Sequence, residues 1–157
     1  MFNIVQVKGD DAGAYYGGQA NYYLGGEAPS RWVGKGAEEI GYVGEVDPAK
    51  FTQLMNGEVS PDGETPQRVL SGVRKGWDMT ISAPKCASVM ITLGGDKRLS
   101  THWQNAAQKA FEYVEQFATY RQTTKGRTQE VVGAKLIGGA FLHDANRNNE
   151  PSIHVHM

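Results

Sequence analysis

Leu99, Trp103, Ala106, Ala107, Ala110, Phe111, Val114 and Phe117 recur mostly at steps of three and four residues. That period gathers them on one face of a helix, and it predicts one from about Asp96 to Arg121 with its apolar stripe laid against a sheet. The rest of the chain must supply that sheet from short pieces, because twenty glycines and six prolines favour turns over long helices. Asn3–Val7 alternates as a strand does. Residues 11–24 are ambiguous, since alanines and tyrosines favour helix and Gly17-Gly18 weakens its middle. Asp47 and Pro48 open a short helix to about Asn56, with Gly57 just past its end. Residues 57–75, rich in Gly, Pro and Ser, read as an irregular excursion. Trp77–Ser82 reads as a strand, and Pro84 starts a helix that carries Val89, Met90 and Leu93 to a stop at Gly94-Gly95. Residues 130–144 and 152–156 read as strands joined by a polar turn from Ala145 to Glu150. This order implies an α+β domain, its largely antiparallel sheet covered by helices.

At 157 residues the chain is about one domain with a real core. No apolar run approaches the roughly 18 residues of a membrane span, and no segment resembles a signal peptide. The single cysteine, Cys86, excludes an internal disulfide and fits a cytoplasmic protein. The net charge of −1 argues against strong non-specific binding of nucleic acid. Two local clusters, Arg68, Arg74 and Lys75, and Arg121, Lys125 and Arg127, could still form a basic face.

Chemistry concentrates in a few polar residues. His154 and His156 are two apart, so on a strand they share a face. A turn centred near Asn148 would fold the preceding strand back and bring His143 opposite them. Three imidazoles converging this way can hold one divalent ion and leave positions open to water or a phosphate oxygen. The same spacing also suits ordinary surface histidines on a hairpin. Asp144 would point away by alternation. Tyr15 and Tyr22 are seven apart, as are Tyr16 and Tyr23, so on a helix each pair shares a face. A phenolate can attack phosphorus once it has lost its proton, while packing is the plainer role for such a stripe. Asp78 could orient a histidine or accept a tyrosine proton, or be a plain strand-end carboxylate. Trp32 and Trp77 could stack bases, whereas Trp103 belongs to the helix stripe. Gly34-Lys35-Gly36 lacks the full pattern of a phosphate loop, and Cys86 and His102 default to structural roles.

An ordered set of motifs extends these readings. It runs through Ala14-Tyr15-Tyr16, Asn21-Tyr22-Tyr23, Trp32-Val33-Gly34-Lys35-Gly36-Ala37-Glu38 and Trp77-Asp78-Met79-Thr80-Ile81-Ser82-Ala83-Pro84-Lys85. It ends with Gly94-Gly95-Asp96-Lys97-Arg98, Phe141-Leu142-His143-Asp144 and Glu150-Pro151-Ser152-Ile153-His154-Val155-His156. Nearly end to end, the chain resembles the amino-terminal part of conjugative relaxases of the MobF (TraI/TrwC) family, within the HUH endonuclease superfamily. The resemblance implies a palm-like HUH relaxase core that nicks single-stranded DNA at a plasmid origin of transfer. It implies that Tyr15 is the first nucleophile, leaving a 5′-phosphotyrosine, and Tyr22 the second, with Tyr16 and Tyr23 beside them. His143, His154 and His156 would bind magnesium or manganese, with Asp78 supporting a histidine or the tyrosine proton. By ligand softness the same imidazoles should also take zinc, nickel or copper. Implied partners are accessory relaxosome proteins and a coupling protein, in a bacterium carrying the plasmid or integrative element. Two departures stand out: Cys86 where Ser is usual, and Val155 where Thr is common. Family domains also run on past this length, many into a helicase, so residues 1–157 would be the amino-terminal portion of such a domain. A non-catalytic DNA- or partner-binding remnant, a rolling-circle replication initiator and a metal-storing protein remain the competing readings.

Overall fold

The computed structural model describes residues 1–7, 29–58 and 76–157. Tyr15, Tyr16, Tyr22, Tyr23, the ambiguous stretch 11–24, the excursion after Glu58 and the cluster Arg68, Arg74, Lys75 lie outside the described residues. A five-stranded sheet holds the described parts together. Its strands β1 (Phe2–Val7), β2 (Ser30–Val33), β3 (Gly76–Ser82), β6 (Gly138–Ala145) and β7 (Pro151–His156) run in the order β1-β3-β7-β6-β2. Every neighbouring pair is antiparallel. Strands β4 (Thr119–Thr124) and β5 (Arg127–Val132) make a separate two-stranded sheet. The helices are α1 (Lys35–Glu39), α2 (Pro48–Met55), α3 (Lys85–Thr92) and α4 (Lys97–Glu115). The α+β class and the antiparallel sheet expected from the sequence are both observed.

Alternation along the strands decides which face does what. Met79 and Ile81 of β3, Ala140 and Leu142 of β6, and Ile153 and Val155 of β7 join Ile91 of α3 and Ala107 and Phe111 of α4 in one apolar cluster. Leu99, Trp103, Ala110 and Val114 of α4 pack against it, so the stripe lies on the sheet as its period requires. The residues between them, Asp78, Thr80, Phe141, His143, His154 and His156, therefore face the other way. A second cluster of Val46, Phe51 and Phe141, with Trp32 and Met55, supports that opposite face.

The local signals hold where capping chemistry sets them. Asp47 accepts hydrogen bonds from the Ala49 and Lys50 amides at 2.8 and 3.1 Å, and Asp96 does the same for Arg98 and Leu99 at the start of α4. Three expectations need correction. Helix α4 stops at Glu115 rather than Arg121, and Phe117 is 62% exposed instead of extending the stripe. Beyond it the β-branched Thr119, Thr123 and Thr124 favour strand, and Lys125 and Gly126, both at positive φ (51° and 77°), close a two-residue hairpin turn. Within the stripe, Ala106 faces solvent. The strand read over 130–144 is two strands, broken after Val132 at Gly133, whose φ is 98°. Sequence reasoning also left out β2 and α1. The turn joining them needs Gly34, since its φ is 101° and a Cβ there would stand 2.2 Å from the Leu136 carbonyl oxygen. The Lys35 amide donates to the buried Glu115 side chain at 2.9 Å and the Gly36 amide to the Leu136 carbonyl, so this Gly-Lys-Gly step is a packing turn, not a phosphate cradle.

Candidate metal centre

The polar turn does what its position suggests. The Asn146 side chain accepts from the amides of Asn148 and Glu150, Asn149 takes positive φ, and β6 folds back onto β7. His143 then pairs directly with His154, and Phe141 with His156. The register slips between His143 and Ala145, so the pairing is regular on the histidine side and bulged toward the turn. The three rings form a near-equilateral triangle, with centroids 5.2, 5.2 and 5.1 Å apart. One nitrogen from each lies within 4.8 Å of the others. Asp144 is 1% exposed and is not part of this cluster, as alternation implies.

The outer hydrogen bonds orient the rings. His154 Nδ1 is 2.8 Å from the Ser152 carbonyl, which can only accept, so Nδ1 carries the proton and the Nε2 lone pair is left for the cluster. His156 Nδ1 lies 3.0 Å from both carboxylate oxygens of Asp78, which fixes the same tautomer. Thr80 Oγ1 flanks this contact, 3.4 Å from His156 Nδ1 and 3.5 Å from Asp78 Oδ1. His143 is 4% exposed, and its Nε2 is buried with no hydrogen-bond partner among the described residues. An orphaned buried nitrogen is unfavourable by about 1–3 kcal/mol, which a cation at that point would relieve. Burial, then the neighbouring imidazoles of His156 and His154, push His143 down to about 4. Burial also lowers His154. Neutral imidazoles are the ligand form, so the electrostatics and the donor set fit a divalent ion.

The site is braced from the helix side. Strand β7 pairs with β3 only from His154 onward, which leaves its first residues without that neighbour. Ser88 of α3, 1% exposed, fills the gap: its Oγ accepts from the Ile153 amide at 3.0 Å and donates to the Pro84 carbonyl. Lys85 donates to the Pro151 carbonyl at 3.0 Å. Neither Ser88 nor Thr80 received a role from sequence, because both act through contacts distant in the chain. Beside Asp78 and His156 opens a cavity of about 170 Å³, walled by Trp77, Phe51, Met55 and Phe141. The structure thus brings His143, His154, His156 and Asp78 together, and the four tyrosines lie outside the described residues. Trp32 packs against Tyr42 with the rings tilted and their centroids 4.6 Å apart, and Trp103 packs on the core. No helix among the described residues is long and apolar enough to cross a membrane.

Residues 9–157 match the family model for the TrwC relaxase. The chain belongs to the TrwC relaxase family. It is 41% identical over 160 residues to the multifunctional conjugation protein TraI of Escherichia coli (strain K12), covering 99% of this chain and 9% of TraI. It superposes on the conjugative relaxase TrwC in a metal-bound complex with oriT DNA, with a TM-score of 0.84 and 33% identity, over 99% of this chain and 55% of that one. A copper-bound TrwC complex with oriT DNA gives 0.84 and 34%, over 99% and 56%. The chain therefore spans about a tenth of the curated relative and a little over half of the TrwC relaxase structures. Among the competing readings, the family match favours a relaxase over a rolling-circle initiator or a metal store.

Proposed function

We propose that this chain carries the metal-binding part of a site- and strand-specific DNA relaxase, which nicks single-stranded origin-of-transfer DNA and holds the cut strand through a tyrosine. The observation that carries the reading is the triangle of His143, His154 and His156 on the face of a TrwC-family sheet opposite α3 and α4, with His156 bonded to Asp78. His143, His154 and His156 would hold the ion through the nitrogens they turn toward one another. A divalent cation bound there would withdraw charge from a phosphate oxygen as the phosphorus becomes crowded. Magnesium or manganese is the proposed working ion. Three imidazoles should bind softer ions more tightly still, in keeping with the copper-bound form of TrwC.

Asp78 keeps His156 in one tautomer and one orientation, and Ser152 does so for His154. Tyr15 is the proposed nucleophile. Its phenolic oxygen forms a bond to phosphorus as the bond to the 3′ oxygen breaks; the phenol gives up its proton and the leaving oxygen gains one. The products are a 5′-phosphotyrosine and a free 3′-hydroxyl, so the bond energy is kept for rejoining. Tyr22 is the proposed second nucleophile at the end of transfer, with Tyr16 and Tyr23 as neighbouring phenols. The proposed setting is the bacterial cytoplasm, with relaxosome proteins and a coupling protein as partners.

The test is incubation with a labelled single-stranded origin oligonucleotide, with and without magnesium, read on a denaturing gel. A metal-dependent protein–DNA adduct that disappears in Tyr15→Phe is the expected result. A folded chain that binds the strand and forms no adduct would reduce this reading to a binding segment without chemistry.

A further inference from the structure

His154 and His156 are anchored in different ways. His156 Nδ1 meets the Asp78 carboxylate directly. His154 Nδ1 meets a backbone carbonyl, that of Ser152, at 2.8 Å. A carbonyl holds a ring only as firmly as its own peptide plane is held. The Ser152 carbonyl shares a planar peptide unit with the Ile153 amide, so the two groups turn together. Whatever grips the Ile153 amide therefore also aims the Ser152 carbonyl.

That grip does not come from a strand. On the β3 side of β7 the ladder begins at Met157, which exchanges both backbone bonds with Met79. It reaches as far as the Ile153 carbonyl, which accepts from the Ala83 amide at 2.9 Å. By then β3 has ended at Ser82, and Pro84 turns the chain into α3. The Ile153 amide and the Pro151 carbonyl are left on this side, and side chains of α3 meet both. Ser88 Oγ accepts from the Ile153 amide at 3.0 Å, and Lys85 Nζ donates to the Pro151 carbonyl at 3.0 Å. Ser88 in turn donates to the Pro84 carbonyl at 3.3 Å, which leaves its lone pairs for the amide.

The links join into one series: Pro84 carbonyl, Ser88 hydroxyl, Ile153 amide, Ser152 carbonyl, His154 Nδ1. It begins in the helix layer, where Ser88 is 1% exposed. It ends on the opposite face of the sheet, at the ring whose other nitrogen turns to the cluster. Hydrogen bonds in series polarise one another, so each donation makes the next acceptor stronger.

We propose that Ser88 is a positioning residue for His154. Through the Ser152–Ile153 peptide it fixes the tautomer and direction of the ring, as Asp78 does for His156. The ligand role of His154 rests on the metal reading above, whereas its tautomer does not. Lys85, which is exposed and holds the preceding peptide, contributes a smaller effect of the same kind. Cys86 lies exposed between them in sequence and contributes none.

The experiment follows both rings in the whole chain, first without metal at pH 7.5. Long-range proton–nitrogen magnetic resonance spectra distinguish imidazoles protonated at Nδ1 from those protonated at Nε2. The parent should show His154 and His156 protonated at Nδ1. In Ser88→Ala, His154 should become a mixture of tautomers while His156 keeps its proton on Nδ1. Ser88→Cys, close in size but with sulfur as a weak acceptor, should move His154 the same way by less. Manganese affinity, read by titration calorimetry, should fall about 3–10-fold in Ser88→Ala, below the ~10–100-fold typical of a residue that touches the ligand directly. Asp96→Ala, which removes the cap of α4 and lowers stability comparably, should change neither reading. Nor should Cys86→Ser. An unchanged His154 tautomer in both Ser88 variants would overturn the proposal, as would a shifted tautomer with unchanged manganese affinity. Equal disturbance of His154 and His156, or the same changes in Asp96→Ala, would mark general loosening and overturn it too. A parent that binds no manganese, with His154 still mixed in Ser88→Ala, would support the hold of Ser88 on the ring and remove the metal reading.

Discussion

Replacing Asp78 with Asn tests whether the histidine triangle is organised by its outer contacts. Asp78 presents both carboxylate oxygens to His156 Nδ1 at 3.0 Å, and the two side chains are 14% and 16% exposed. A charge-assisted hydrogen bond largely out of water is worth about 1.5–3 kcal/mol. Asn keeps the size and removes the charge, and its NH2 group can turn toward Nδ1, where it would favour the tautomer that protonates Nε2. The ligand nitrogen then carries a proton and must shed it before binding. Losing 1.5–3 kcal/mol corresponds to roughly 10–150-fold in affinity, which overlaps the range of about 10–100-fold for removing a contact behind a metal-bound histidine. Titration calorimetry with manganese at pH 7.5 should show that weakening in Asp78→Asn. Thr80→Ala, which disturbs only long contacts of 3.4 and 3.5 Å, should change affinity by less than about threefold. Equal manganese affinity in Asp78→Asn and the parent would refute the argument that Asp78 sets the His156 tautomer.

Three further outcomes follow from the same geometry. His143 is held at about 4 in the fold against its ordinary 6.5, so between those values the unfolded chain binds the extra proton. Metal-free stability should be full above about pH 6.5 and fall as pH drops toward 4, by about 2 kcal/mol at pH 5, as urea titrations at pH 7 and 5 can measure. Ser88→Ala strands the buried Ile153 amide and should lower stability by about 1–3 kcal/mol in denaturant melts. Glu115→Ala strands two amides at once, those of Lys35 and Leu136, each 2.9 Å from Oε1. It should cost about 2–6 kcal/mol, whereas Glu115→Gln keeps an acceptor in place and should retain most of that in the same assay.

Two kinds of information were legible in the sequence. Periodicity gave α4 and its buried face, and capping residues such as Asp47, Asp96 and Gly57 gave helix starts and stops, because those effects are local. The His-x-His step and the polar turn gave the convergence of the three histidines for the same reason, since a hairpin brings its two strands together without help from the rest of the chain. Failures began where a distant residue decides. Glu115, the last residue of α4, turns its carboxylate onto amides 80 and 21 positions away, and no pattern of apolar residues signals that. Strand β2 is only four residues long and exists because β6 offers it an edge. Ser88 braces β7 across 65 positions. Asp78 fell between these cases: the strand was readable, but its contact with His156 depends on β3 and β7 being neighbours, which sequence order does not fix.

A divalent ion held at the histidine cluster, as proposed, should also stabilise the fold. Three imidazoles crowd together with their rings about 5 Å apart, one with its Nε2 unpartnered, and burial opposes protonating His143 and His154. An ion that binds the folded cluster and not the scattered histidines of the unfolded chain stabilises the fold by about 2.7 kcal/mol at a hundred times its Kd. For a domain near this size each kcal/mol moves the melting temperature by roughly 2–4 °C, so the expected rise is about 5–10 °C. Differential scanning fluorimetry with manganese should show it in the parent at pH 7.5 and not in His143→Ala. At pH 5 the rise should be smaller at the same ion concentration, since an imidazole must be neutral to bind the ion and protons compete with it. If the parent and His143→Ala rise equally, the ion is stabilising the chain elsewhere, and the triangle of His143, His154 and His156 is not its site.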